Sequence, residues 1–132
     1  MTDALQSRLR TLLLERAHRG APATYKELAD QLQLAPPQTI HRLTLLLEAL
    51  MAEDVAAGRP LLAALCLSRR QQLPARGFFI AARELGAYHG EPEGAEAEAF
   101  HAAELRRALE FYARPRQDAT PAQGTAGSGQ QP

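Results

Sequence analysis

Between Asp54 and Glu84 the chain carries five arginines, Arg59, Arg69, Arg70, Arg76 and Arg83, and no acidic residue. A guanidinium presents planar, paired donors that match phosphate oxygens, so this window is a candidate contact for a polyanion such as DNA. Any such attraction must be local, because fifteen basic and fifteen acidic residues balance over the 132-residue chain and the bulk field is close to zero. Gln38, Thr39, His41 and Arg42 form a second set, at the start of a helical run. Glutamine and arginine carry the paired hydrogen-bonding groups that base edges require. Tyr25 and Lys26, at the start of the preceding segment, extend the candidate DNA-binding set, which then comprises Tyr25, Lys26, Gln38, Thr39, His41, Arg42, Arg59, Arg69, Arg70 and Arg76. The alternative for the basic window is a solvated loop whose arginines keep the domain soluble.

Other chemistries find less support. His89, Glu91 and Glu93 lie close together in "HGEPEG" but lack the spacing of a metal site. The chain has no phosphate-cradling glycine loop and no nucleophile elbow, so neither catalysis, a cofactor nor a metal is expected. Cys66 is the lone cysteine and cannot form an internal disulfide. The opening "MTDALQSRLR" has no apolar signal core, which favours a cytoplasmic location. "LTLLLEALM" and "LLAALCL" fall short of the roughly 20 apolar residues that cross a bilayer, so no membrane association is expected.

The elements that must position these residues follow from periodicity. Leu5, Leu9, Leu12 and Leu13 predict an amphipathic first helix over Asp3 to His18, with Gly20 past its end. Thr24 and Glu27 form a capping-box pair, so a second helix of about three turns starts at Tyr25 and must stop before Pro36-Pro37. The prolines also suit the first turn of a third helix, which runs towards Gly58 with Ile40, Leu43, Leu47 and Leu50 on one face. Leu45 falls on the outer side, where it suits burial against helix one of a second subunit, against the C-terminal helix or against a protein partner. "PLLAALCL" predicts a buried strand, and "FFIAA" a short returning strand across the polar loop "SRRQQLPARG". Alanine content leaves a helix open in the first case, and "FFIAARELG" also fits a helix closed by Gly86. A last helix spans about Ala95 to Ala113, acidic at its start and basic near its end. Residues 115–132 have almost no large apolar side chain and are expected to be disordered.

Taken in order, these elements over about residues 3 to 82 resemble a winged helix-turn-helix domain. The resemblance implies a mainly α fold with a small β-hairpin as the wing, divided into a winged domain over 1–90, a C-terminal helix over 91–114 packing on the domain or on a second subunit, and the tail. It implies that Gln38, Thr39, His41 and Arg42 face base edges while Arg69, Arg70 and Arg76 hold phosphates. Such a protein would regulate transcription or assist a DNA-processing system. Alternatively it would be an interaction module, joining a homodimer or a protein partner through helix three or the C-terminal helix.

A narrower segment, "ATYKELADQLQL", is similar to the "TYG-[DE]-[IL]-A" stretch in the DNA-binding domain of alkylguanine-DNA alkyltransferases and their alkyltransferase-like relatives. "GRPLLAALCLSRR" follows at about the spacing of their active-site strand. That resemblance implies a place for Tyr25 at a flipped nucleotide and, without catalysis, recognition of damaged DNA. The family's Pro-Cys-His-Arg motif is replaced here by Leu65-Cys66-Leu67-Ser68-Arg69. A thiol between leucines, with no histidine to activate it, should have a raised pKa, so alkyl transfer is not expected.

Overall fold

The computed structural model describes residues 2–113; Arg114 and the expected tail over 115–132 lie outside the described residues. In chain order the elements are α1 (Thr2–Arg19), β1 (Ala23–Thr24), α2 (Tyr25–Gln31), α3 (Thr39–Ala57), a 3-10 turn (Leu62–Leu65), β2 (Cys66–Leu67), α4 (Arg76–Glu84) and α5 (Ala95–Ala113). The protein is mainly helical with one small two-stranded sheet. No helix among the described residues is long and apolar enough to cross a membrane.

Helical spacing of apolar residues builds the core. Leu9, Leu13 and Ala17, four apart on α1, are fully buried against α3, the 3-10 turn and α5. Thr24 caps α2 as its sequence predicts. The Glu27 amide donates to the threonine hydroxyl at 3.1 Å, and the Thr24 amide donates to the Glu27 carboxylate at 3.0 Å. That second bond, the larger cause, and Arg16 nearby hold the Glu27 carboxyl below its usual range.

Two boundaries differ from the sequence-based expectation. α2 ends at Gln31, short of three turns, because Gln33 adopts a left-handed conformation with φ of 57°. Pro36 and Pro37, joined by a cis peptide bond, lie in the connection instead of the first turn of α3. Gln38, at φ 59° and ψ 35°, stands between them and the helix, so α3 starts at Thr39.

The small sheet is not the expected hairpin. β1 and β2 run parallel, with Ala23 opposite Cys66 and Thr24 opposite Leu67. Parallel strands need a long crossover, and here α2 and α3 supply it. The strand expected over "PLLAALCL" contracts to Cys66–Leu67, and "FFIAA" lies within α4. Phe78, Phe79, Ala81 and Ala82 are buried there while Arg83 and Glu84 are exposed, a helical pattern.

With only two residues paired in the sheet, the buried stretch from Pro60 to Leu67 satisfies its backbone elsewhere. Asp54 at the end of α3 accepts from the Leu62 amide at 3.1 Å, and Glu104 of α5 accepts from the Leu61 amide at 2.7 Å. His101 donates to the Ala64 carbonyl at 3.0 Å and Tyr112 to that of Pro60 at 2.7 Å. Side chains of flanking helices thus replace a sheet ladder, which a buried backbone requires. Through Ala97, Ala108 and Tyr112, α5 belongs to the same core cluster as α1 and α3, so the C-terminal helix packs on its own chain.

Candidate nucleic-acid interface

The parallel pairing decides which candidate residues meet. Thr24 and Leu67 are paired, so the chain leaves β1 and β2 in the same direction, and Tyr25 and Ser68 emerge as neighbours. Beyond Ser68 the chain makes a tight turn. The Ser68 amide donates to the Leu73 carbonyl at 2.7 Å, the Gln72 amide donates back to the Ser68 carbonyl at 2.9 Å, and Gln72 has φ of 59°. Arg69 and Arg70 stand exposed on this turn and form no ion pair among the described residues.

Tyr25 fixes the far end of the turn. Its hydroxyl accepts from the Ala75 amide at 2.8 Å. Burial, the larger cause, and the nearby Cys66 push the phenol well above its usual range. The bond was not legible in the sequence, because it joins residues fifty apart through a pairing that periodicity does not reveal. In place of a β-hairpin wing, a tethered arginine turn therefore lies beside the start of α2.

The first half of α3 supplies the other part. At about 100° per residue, Gln38, His41, Arg42 and Leu45 fall on one side of the helix, opposite the buried Leu43, Leu46, Leu47, Leu50 and Met51. All four are exposed. Arg42 donates to the Ala35 carbonyl at 2.8 Å, which holds its exposed guanidinium against the α2–α3 connection. Thr39 is half-buried and lies towards the core side of the helix, away from this group. The start of α4, which follows the turn, lies against α3, since a Cβ placed on Gly77 would be 3.9 Å from the Glu48 carboxylate.

Three candidate residues are committed elsewhere. Arg59 points inward, its Nε 3.1 Å and a terminal nitrogen 3.0 Å from one oxygen of Asp54. Arg10 meets the same oxygen at 3.1 Å, and Asp54 is fully buried. A buried carboxylate needs such partners, so the charge of the partly exposed Arg59 is engaged by Asp54. Arg76 pairs with Glu93 at 2.8 Å, both side chains being exposed. Lys26 pairs with Asp30 one helical turn on, at 3.1 Å.

Cys66 is fully buried, and burial pushes its thiol far above the ordinary range, which disfavours the reactive thiolate. Leu65, Leu67, Phe78 and Phe79 are buried as well. The acidic segment around His89, Glu91 and Glu93 contributes the Arg76 ion pair, and no cluster of potential metal ligands occurs among the described residues. Comparison of the chain with known protein families, curated proteins and solved structures yields no match.

Proposed function

We propose that the protein binds double-stranded DNA, with α2 and α3 as a helix-turn-helix and the Ser68–Ala75 turn as a second contact to the phosphate backbone. The observation that carries this reading is the tethered turn. The β1–β2 pairing and the Tyr25–Ala75 hydrogen bond hold the exposed Arg69 and Arg70 beside the start of α2. Arginines on a held turn neutralise phosphates at lower entropic cost than the same residues on a loose loop. Gln38, His41 and Arg42 supply donors and acceptors for base edges. The biological setting this fits is a cytoplasmic regulator of transcription or an accessory to a DNA-processing system, and the lone buried thiol of Cys66 suits a reducing compartment.

Fluorescence anisotropy of the full chain with a mixed-sequence duplex, at about 50 mM and about 200 mM salt, tests the proposal, since phosphate-driven affinity falls steeply over that span. Saturable binding that weakens as salt rises supports it; absence of binding at the lower salt overturns it.

Two other readings each have one observation in their favour. Leu45 is 53% exposed on α3, as an interaction module joining a protein partner or a second copy would require. The pairing of β1 with β2 places Tyr25 at the end of the strand that runs beside Cys66, the neighbourhood in which an alkyltransferase-like domain would meet a damaged base. Against the latter stand the engaged Tyr25 hydroxyl and the filled space around Cys66.

A further inference from the structure

The exposed leucine stands within the candidate reading surface itself. Leu45 lies one helical turn from His41 and three residues from Arg42, with Gln38 two turns back and the half-buried Glu48 ahead. The other large apolar side chains exposed among the described residues are Ile40 and Phe111. Ile40 sits about 140° away around the helix axis from Leu45, and Phe111 is on the last helix. Leu45 is therefore the one large apolar side chain exposed on this side of α3, with Gln38, His41 and Arg42 before it and Glu48 and the small side chains of Ala49 and Ala52 after it.

A protein partner that covers a leucine generally meets a contiguous patch of large apolar side chains, whereas on this side of α3 only the methyl groups of Ala49 and Ala52 adjoin Leu45. The floor of the DNA major groove has a different make-up. It is a row of hydrogen-bond donors and acceptors in which the exposed apolar group is the C5 methyl of thymine. One leucine among glutamine, histidine and arginine matches that pattern in number and in chemistry.

We propose that Leu45 is a specificity-determining residue that reads thymine, by packing on its C5 methyl while the polar side chains around it meet neighbouring base edges. This inference rests on the DNA-binding reading above and gives it a base preference. The contact is apolar packing alone, so it discriminates thymine from uracil, which differ only by that methyl group. Its strength is that of one buried methyl group, about fourfold in affinity.

The test uses the full chain and a pool of duplexes with a random interior, enriched for binding and then copied with either dTTP or dUTP. Wild-type protein should bind the thymine copy about fourfold more tightly than the uracil copy. Leu45→Ala should close the gap, and Leu45→Met, which keeps an apolar side chain, should retain most of it. Arg69→Gln with Arg70→Gln should weaken both copies alike. Equal binding of the two copies by the wild type would overturn the thymine inference and leave DNA binding standing. A gap that persists in Leu45→Ala overturns it too, by assigning the methyl contact to another residue. Failure to enrich any duplex would overturn both readings.

Discussion

Arg59 and the pair Arg69–Arg70 lie in the same acid-poor stretch of sequence, yet the fold puts them to opposite uses. Arg59 turns inward and shares the buried Asp54 with Arg10, while that carboxylate also takes the Leu62 amide. Arg69 and Arg70 stand on a turn with backbone bonds at both ends and no ion pair among the described residues. A run of like charge in sequence is thus not yet a surface. What separates the two sets is a carboxylate within reach, which depends on tertiary packing.

The sharpest way to break this comparison is to remove the buried carboxylate. Asp54→Asn removes the charge partner of Arg59 and one of the two carboxylates that Arg10 meets, Glu53 remaining at 2.9 Å. With the carboxylate buried but both guanidiniums partly exposed, the loss should be about 2 kcal/mol. Urea unfolding should show that loss, and a change under about 1 kcal/mol would place Asp54 among ordinary surface carboxylates.

Tyr25→Phe tests the tether. It removes the acceptor of the Ala75 amide, with a loss of about 1 kcal/mol. Hydrogen exchange at Ala75 should speed up while the amides of α1 and α5 keep their protection, and DNA affinity should fall because the turn is no longer held. Unchanged exchange at Ala75 would show that the turn holds itself.

His101 probes the buried network by pH. Burial, the larger effect, lowers its pKa despite the bond to the Ala64 carbonyl, so the folded protein keeps the ring neutral where the unfolded chain protonates it. The stability it contributes is full above the unfolded value of about 6.5 and is lost as pH falls from there through the folded value. The urea midpoint should therefore drop between about pH 7.5 and about pH 5.5. In His101→Gln that drop should shrink; an identical drop would assign it to other groups.

The smallest effect on stability belongs to Arg69→Gln with Arg70→Gln, expected within about 0.5 kcal/mol of wild type because both side chains are exposed. A larger loss would mean that the turn arginines support the fold, as Arg59 does.

The sequence made some of this legible and hid the rest for a physical reason. Helices α1, α3 and α5 follow from leucine and alanine spacing, and the Thr24–Glu27 cap marks the start of α2, because these signals are local. The exposed side of α3 was accessible for the same cause, since helical periodicity places Gln38, His41 and Arg42 together, although it puts Thr39, expected with them, towards the core side. The strands were not, since "PLLAALCL" and "FFIAA" carry apolar runs compatible with either state, and the partner of Cys66–Leu67 lies more than forty residues upstream at Ala23–Thr24. The inward turn of Arg59 and the pairing of Arg76 with Glu93 were equally hidden, as each depends on where a distant carboxylate ends up.

The most direct test of the central claim is the salt dependence of duplex binding for wild type and for the Arg69→Gln, Arg70→Gln variant. If the turn holds two phosphates, the variant should bind every sequence more weakly, and the slope of log affinity against log salt should flatten by about 2. A variant that binds with the wild-type slope, or a wild type that binds no duplex at low salt, would contradict the assignment of this turn to the DNA backbone.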